Sequence, residues 1–143
     1  LKKAHPDWTD EYIRQQLGFS NDLSKSVKGT AQKLATAIKQ VESGGNYNAR
    51  GGSGERGAYQ FMPSSWRSWS QKYLGTPNAP MTPHNQDKVA LAHIQSLLDK
   101  GHTPREVALI WNGGTPTIKK GTNRYGQKYD TGAYANKVMK VYG

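Results

Sequence analysis

The chain has no cysteine, no long apolar run and few acidic residues. Without cysteine, its 143 residues can form neither disulfides nor thiolate metal sites, and they offer no cysteine nucleophile. The longest unbroken apolar run, residues 107–111, is five residues, whereas a helix that spans a bilayer needs about 20. No basic stretch leads into an apolar segment at the start, so we expect no signal peptide within this sequence. A transmembrane helix and a cysteine enzyme are therefore excluded.

Positive charge, by contrast, is in excess. Twenty Lys and Arg residues face ten Asp and Glu residues, which gives a formal net charge of +10. Such a protein attracts polyanions: nucleic acid, anionic lipid or the anionic polymers of a bacterial wall. A basic surface without a specific partner is the simpler alternative. No helix-turn-helix pattern or aromatic RNA-binding motif occurs, so we expect no specific nucleic acid.

Helix start and stop signals divide the chain into about six helices. The expected helices are 7–17, 30–43, 64–74, 82–100, 103–111 and a last one that includes 134–141. Six of the fourteen residues from Gly44 to Gly57 are glycine, which excludes a helix there and favours turns or a small hairpin. The polar segment 115–130 is expected to be a loop. The predicted fold class is mainly α, or α+β if the hairpin forms.

Only four glutamates are present, which narrows the search for a catalytic acid. Glu11 fits the first turn of a helix, and Glu106 fits a capping box with Thr103. Glu42 follows Val41 at the carboxyl end of a predicted helix, where the helix dipole and apolar neighbours both raise a carboxyl pKa. A carboxylic acid that stays protonated near neutral pH can act as general acid in glycosidic cleavage. The simpler alternative is an exposed glutamate at a helix end.

Four motifs follow in order around and after this glutamate. They are Glu42-Ser43, Gly57-Ala58-Tyr59-Gln60-Phe61-Met62-Pro63, Leu109-Ile110-Trp111-Asn112-Gly113-Gly114 and Tyr134-Ala135-Asn136-Lys137-Val138. Together they resemble the lysozyme-like superfamily of peptidoglycan-cleaving enzymes, in particular the soluble lytic transglycosylase (SLT) domain and the goose-type lysozymes. The resemblance covers roughly residues 31–141. It implies a lysozyme-like catalytic domain over 30–143, with 1–29 as an N-terminal helix and connector.

The resemblance also implies a role for each matched residue. Glu42 would protonate the leaving glycosidic oxygen, with Tyr134 reaching toward its carboxyl. The substrate-binding residues would be Ser43 and Gln60 as polar neighbours of the cleft, Met62 as a wall beneath the sugar, and Asn112 as a hydrogen-bonding partner of the substrate or of Glu42.

Simpler alternatives exist for several of these residues. Met62 could belong to the core, Gln60 could hold the hairpin, and Tyr134 could head an apolar helical stripe. Trp66 and Trp69 could stack on sugars, but their helical spacing favours core positions.

Glu55 decides between two reactions at the same β-1,4 bond between N-acetylmuramic acid and N-acetylglucosamine. Lytic transglycosylases need one carboxyl, because the muramic acid 6-hydroxyl attacks its own C1 and forms a 1,6-anhydro end. Goose-type muramidases use water held by a second carboxylate. Gly54-Glu55-Arg56-Gly57, thirteen residues after Glu42, is similar to their motif. Glu55 is therefore a second catalytic candidate, or simply the partner of a surface cation. The whole pattern favours the transglycosylase.

No cofactor or metal is expected, because the four histidines show no ligand spacing and the glycine-rich segment lacks a phosphate-loop ending. The expected partners are peptidoglycan glycan strands and anionic wall polymers. The expected location is extracytoplasmic (secreted, periplasmic or in the cell wall) or on a phage particle. A non-catalytic wall-binding module is the alternative from another class.

Overall fold

A computed structural model describes residues 29–143 of the chain. This part contains five helices and one two-stranded antiparallel hairpin: α1 (29–43), α2 (Pro63–Leu74), α3 (Pro83–Asp99), α4 (Pro104–Gly113), β1 (Lys120–Thr122), β2 (Lys128–Asp130) and α5 (Thr131–Tyr142). The predicted fold class, mainly helical with a small β element, is confirmed. Within 29–143 no helix is long and apolar enough to cross a membrane.

Two expectations about the elements need comment. The helix predicted over 7–17 lies outside the described residues, and so does most of the predicted segment 1–29, whose boundary stays a prediction. The polar loop predicted over 115–130 is wrong, because this segment contains the β1–β2 hairpin. The segment 44–62, called the turn segment below, contains only two isolated bridges, Arg50 with Arg56 and Arg56 with Phe61.

The core surrounds α1, whose apolar stripe Leu34 and Ile38 is fully buried. The other large, fully buried aliphatic side chains come from α3, α4 and α5 and are Val89, Ile94, Val107 and Val138. Burying an aliphatic side chain of this kind contributes about 1.5–3 kcal/mol. Because the apolar stripe of α1 is buried in this core, the carboxyl end of the helix is held where the turn segment begins.

Local signals explain where the helices start. Thr82 and Thr103 cap α3 and α4 with their side chains, and a proline occupies the first helical position of each. Thr103 and Glu106 form the predicted capping box, which accounts for Glu106. Asp130, the last residue of β2, caps α5 by accepting from the Ala133 amide at 3.1 Å. The hairpin therefore leads directly into α5.

Gln86 connects the turn segment to α3 through hydrogen bonds. Its side chain is buried; Oε1 accepts from the Ala58 amide at 2.8 Å, and Nε2 donates to the carbonyls of Tyr47 at 3.1 Å and Met81 at 2.8 Å. Gly57 lies against this amide at φ +87°, and a Cβ there would overlap Gln86 Oε1. Glycine is therefore required at position 57 by both backbone conformation and space.

Aromatic side chains fill the space between the turn segment, α2 and α4. Phe61 contacts the rings of Trp66, Trp69 and Trp111 with centroid distances of 5.0–5.9 Å. Trp66 is buried and donates from Nε1 to the Ala79 carbonyl at 2.9 Å. Trp69 is half-buried and stacks on His93 at 3.9 Å. Both tryptophans thus pack in or against the core, as their spacing predicts.

Candidate active site at the end of α1

The Glu42 carboxyl lies in the last turn of α1, half-buried, and is bonded to Tyr134 of α5. Tyr134 Oη donates a hydrogen bond to Glu42 Oε2 at 2.9 Å. Tyr134 stands one turn into α5, directly after the hairpin, so two segments 92 residues apart meet at this carboxyl. The predicted approach of Tyr134 to Glu42 is therefore present in the structure.

The surroundings of Glu42 favour its protonated form. Burial raises the pKa of the Glu42 carboxyl to about 7, the hydrogen bond from Tyr134 partly opposes this, and the charge of Glu55 adds to the increase. Burial and the facing carboxylate hold the pKa of Tyr134 well above its usual range, so this phenol remains a neutral donor. Near neutral pH, Glu42 is poised to give or take a proton.

Ser43 joins the end of α1 to the turn segment. Its Oγ donates to the Ala58 carbonyl at 2.7 Å and accepts from the Asn46 amide at 3.0 Å. These bonds fix the backbone on both sides of the helix end, and hence the direction of the adjacent Glu42 side chain. The structure gives Ser43 a positioning role, and its contact with a substrate stays a prediction.

Glu55 and Gln60 converge on Gly51. A Cβ at position 51 would overlap Glu55 Oε2 and would come within 2.6 Å of Gln60 Oε1, so glycine allows both side chains to lie against the backbone. Gln60 has a positive φ of 54° and donates from Nε2 to the Gly57 carbonyl at 2.8 Å. Gln60 therefore holds the turn segment in place, which agrees with the simpler alternative for this residue. Its amide oxygen lies against Gly51, as the Glu55 carboxylate does.

The half-buried Glu55 carboxylate is not held by a surface cation. Within residues 29–143 it makes no ion pair and no side-chain hydrogen bond, although Arg56 is its chain neighbour. The negative charge of Glu55 contributes to the raised pKa of the Glu42 carboxyl. The alternative that Glu55 is simply the partner of a neighbouring cation therefore has no support within residues 29–143.

Met62 and Asn112 line two separate recesses. Met62 is 41% exposed and borders a groove of about 600 Å³ with Gly52, Ser53, Arg124, Tyr125 and Gln127. It is not a core residue. Asn112 is exposed and borders a recess of about 350 Å³ with Gly113, Lys119, Tyr129 and Thr131. No hydrogen bond joins Asn112 to Glu42 in the described part of the chain, so only its predicted contact with substrate is left open.

A polar cluster behind the site was not found from the sequence. Asp87 of α3 accepts hydrogen bonds from Tyr47 Oη at 2.8 Å and Tyr59 Oη at 2.7 Å, and Lys39 Nζ lies 3.8 Å from its Oδ1. Lys39 also donates to Tyr47 Oη at 3.0 Å, a bond that raises the lysine pKa. This cluster ties α1 and the turn segment to α3. In the sequence, the only indication of this cluster was the aromatic residue Tyr59 in the motif 57–63.

The described residues bring together no group of three or more His, Asp or Glu side chains that could hold a metal ion. What they do assemble is a carboxyl with a raised pKa at a helix end, a tyrosine that donates a hydrogen bond to it and a second carboxylate whose charge adds to that increase. A family model described as "Transglycosylase SLT domain" matches residues 22–132. The chain belongs to this family. No curated protein and no solved structure matches the chain.

Family membership accounts for the architecture and for the general activity. The SLT match contains Glu42, Glu55, Gln60, Met62 and Asn112, and it ends two residues before Tyr134. SLT domains act on peptidoglycan, and the mainly α architecture with a small hairpin is consistent with their lysozyme-like fold. At the level of the family, the activity is peptidoglycan cleavage of the lytic transglycosylase type.

Proposed function

We propose that this SLT domain is a lytic transglycosylase that cleaves the β-1,4 bond between N-acetylmuramic acid and N-acetylglucosamine and leaves a 1,6-anhydro end. The observation that carries this proposal is the Glu42 carboxyl, whose pKa is raised to about 7 and whose Oε2 is held by Tyr134. A single carboxyl that can be protonated or ionised at neutral pH suits a reaction in which one group gives a proton and then takes one back.

Glu42 would serve both halves of this reaction. Because Tyr134 occupies Oε2, Oε1 is the oxygen available to give its proton to the leaving oxygen of N-acetylglucosamine as the bond to C1 breaks. The 6-hydroxyl of the muramic acid residue then forms a bond to C1, and its proton passes to the Glu42 carboxylate. The acid is regenerated, and neither water nor a cofactor is consumed.

The other site residues would position the enzyme and its substrate. The exposed Met62 offers an apolar contact to a sugar face, and the exposed Asn112 offers an amide to its polar groups. Ser43 and Gln60 would position the turn segment through their hydrogen bonds to the Ala58 and Gly57 carbonyls.

A second candidate is an inverting muramidase, and one observation favours it. The Glu55 carboxylate has no ion-pair or hydrogen-bonding partner within 29–143 and contributes to the raised pKa of Glu42. A carboxylate free on the far side of the sugar could hold a water for attack at C1. Inverting enzymes place their two carboxyls about 6.5–9.5 Å apart for this purpose. The transglycosylase ranks first because the matching family is named for that reaction.

Product analysis in isotopically labelled water separates the two candidates. Peptidoglycan digested in H₂¹⁸O should yield muropeptides that are lighter than reducing products by one water and that carry no ¹⁸O. Reducing ends labelled with ¹⁸O at C1 would establish the muramidase instead. A folded Glu42→Gln variant should give neither product. If the wild type and the Glu42→Gln variant bind equally to walls and neither releases products, the non-catalytic wall-binding module is favoured.

The substrate sets the expected location of the protein. Peptidoglycan lies outside the cytoplasm, so the domain would act as a secreted, periplasmic or wall-associated protein, or on a phage particle that penetrates the wall. The net charge of +10 would add attraction to anionic wall polymers.

A further inference from the structure

The β1–β2 hairpin carries positive charge that no acid balances. Its strands and turn contain Lys120, Arg124 and Lys128, Lys119 directly precedes β1, and no ion pair involves any of the four within 29–143. The one acid of this segment, Asp130, is engaged as the cap of α5. All six strand residues are exposed, so the hairpin buries no apolar face of its own. A two-stranded hairpin of this kind is marginal by itself.

The base of the hairpin is nevertheless anchored to α4 and α5. The Lys119 amide donates to Thr131 Oγ1 at 2.7 Å, and the Thr131 amide donates to the Lys119 carbonyl at 2.9 Å. Lys119 Nζ donates to the Gly113 carbonyl at the end of α4 at 3.2 Å. The side chain of Ile118 lies against Gly132, where a Cβ would come within 3.2 Å of it. The hairpin is thus built outward from the start of α5, one turn before Tyr134.

Its tip is also ordered. Asn123 Oδ1 accepts hydrogen bonds from the amides of Tyr125 at 2.9 Å and Gln127 at 3.0 Å, and Gly126 takes the positive φ of 78° that the turn requires. Arg124 donates from Nη2 to Tyr125 Oη at 2.9 Å, and its guanidinium lies 5.0 Å from the Tyr125 ring centroid. These bonds hold a cation and an aromatic ring next to each other at the tip of the hairpin.

This pair faces the segment that carries the second acid. Arg124, Tyr125 and Gln127 border one side of the 600 Å³ groove, while Gly52, Ser53 and Met62 border the other. Gly52 and Ser53 belong to the same turn as Glu55, and Tyr125 is 66% exposed. A glycan strand bound against Met62 would therefore place the substituents of its sugars next to Arg124 and Tyr125.

We propose that the hairpin tip is a subsite for the carboxylates of the stem peptides that muramic acid carries in peptidoglycan. The proposal takes its substrate from the proposed function. A guanidinium matches a carboxylate through paired N–H donors, and the tyrosine ring gives the peptide an apolar contact. Because the groove adjoins the catalytic turn, the anion should belong to the strand being cleaved. We therefore do not expect a phosphate polymer of the wall to bind in this groove.

The test compares soluble glycan strands of equal length that differ only in what they carry. Three preparations are used: strands with intact stem peptides, strands whose peptides have been removed by an amidase and whose newly exposed lactyl carboxylates have then been amidated, and peptide-bearing strands whose carboxylates have been chemically amidated. Binding is measured by fluorescence anisotropy in the Glu42→Gln background, where no strand is consumed. Arg124→Gln is compared with Lys88→Gln, which removes an exposed cation of α3 that borders neither recess.

Arg124→Gln should weaken binding to intact strands about fivefold, the upper range for an exposed ion pair, and should leave the other two preparations unchanged. Lys88→Gln should weaken binding to all three preparations equally, and by less than Arg124→Gln weakens binding to intact strands. Equal loss from Arg124→Gln on all preparations, or no loss on intact strands, would overturn the proposal. A fourth preparation, strands that carry phosphate polymers but no stem peptides, tests the other occupant. An Arg124→Gln effect confined to this preparation would mean that such a polymer occupies the subsite, and it would overturn the proposal. Because binding is read without turnover, a missing transglycosylase activity would not be mistaken for a missing subsite.

Discussion

Tyr134 Oη donates to Glu42 Oε2 at 2.9 Å, and this bond opposes the burial that raises the pKa of the carboxyl. A hydrogen bond to the ionised form stabilises that form, whereas burial penalises it. The tyrosine thus moderates the shift and fixes which oxygen is free to act. Both effects can be measured separately.

Tyr134→Phe should raise the pKa of Glu42 above its present value of about 7, because burial remains and the opposing bond is lost. The alkaline limb of the kcat/KM profile should therefore move to higher pH. The maximal rate should fall about tenfold, since the carboxyl is no longer held in one orientation. Tyr142→Phe on the same helix is the matched control and should change neither quantity. An unshifted limb for Tyr134→Phe would show that the bond does not set the acidity of Glu42.

Glu42→Gln should leave a folded protein whose activity is reduced at least about a hundredfold, the usual order for losing a positioned acid. The amide keeps the size of the side chain and can still meet Tyr134, so the loss would report proton transfer rather than packing. Release of soluble muropeptides from purified walls measures the effect, and circular dichroism checks the fold. A folded variant that clears walls at near-normal rate would contradict the role given to Glu42.

The same substitution should stabilise the protein in alkali. The folded-state pKa of Glu42 is about 7, whereas its ordinary value is 4.5, so the native state binds more protons than the unfolded state between these values. Stability therefore falls as pH rises through this window, by about 3 kcal/mol in total. Glu42→Gln, which cannot ionise, should unfold several degrees higher than the wild type at pH 8, and the difference should vanish near pH 4. A difference independent of pH would indicate a packing effect instead.

The sequence was most informative where the structure depends on local signals. The helix starts at Thr82 and Thr103 follow from capping residues and prolines, and the motif pattern singled out Glu42 and Tyr134 together. The hairpin was missed because its six strand residues are all exposed, so no alternation of apolar and polar side chains marks them.

Other features depend on contacts that no local pattern encodes. Gln86 bonds to Tyr47 and Ala58, and Asp87 bonds to Tyr47 and Tyr59, across 28 to 40 residues. Each looks like an ordinary polar residue of the α3 sequence. Their importance arises only when the turn segment folds onto that helix.

Wall binding should weaken with salt. The chain carries a net charge of +10, and exposed charges are screened over about 8 Å at 0.15 M ionic strength. The fraction of protein that pellets with purified walls should fall by half or more between low and high salt. Walls stripped of phosphate polymers should retain less protein at low salt and show a shallower dependence. Retention that ignores salt would mean that sugar contacts, rather than charge, hold the protein there.

Glu55→Gln distinguishes the two mechanisms at the level of the protein. If the 6-hydroxyl of muramic acid attacks, no water has to be held. The substitution should then lower the rate about fivefold or less, equivalent to under about 1 kcal/mol. It should also lower the pKa of Glu42 slightly, because a like charge disappears, and move the alkaline limb to lower pH. Inversion needs both carboxyls, so a muramidase would lose nearly as much activity as with Glu42→Gln. The expected outcome is the small loss, with anhydro ends still the main product by mass spectrometry. A folded but inactive Glu55→Gln variant, with reducing ends in the wild-type digest, would assign Glu55 to the attacking water and make the protein an inverting muramidase.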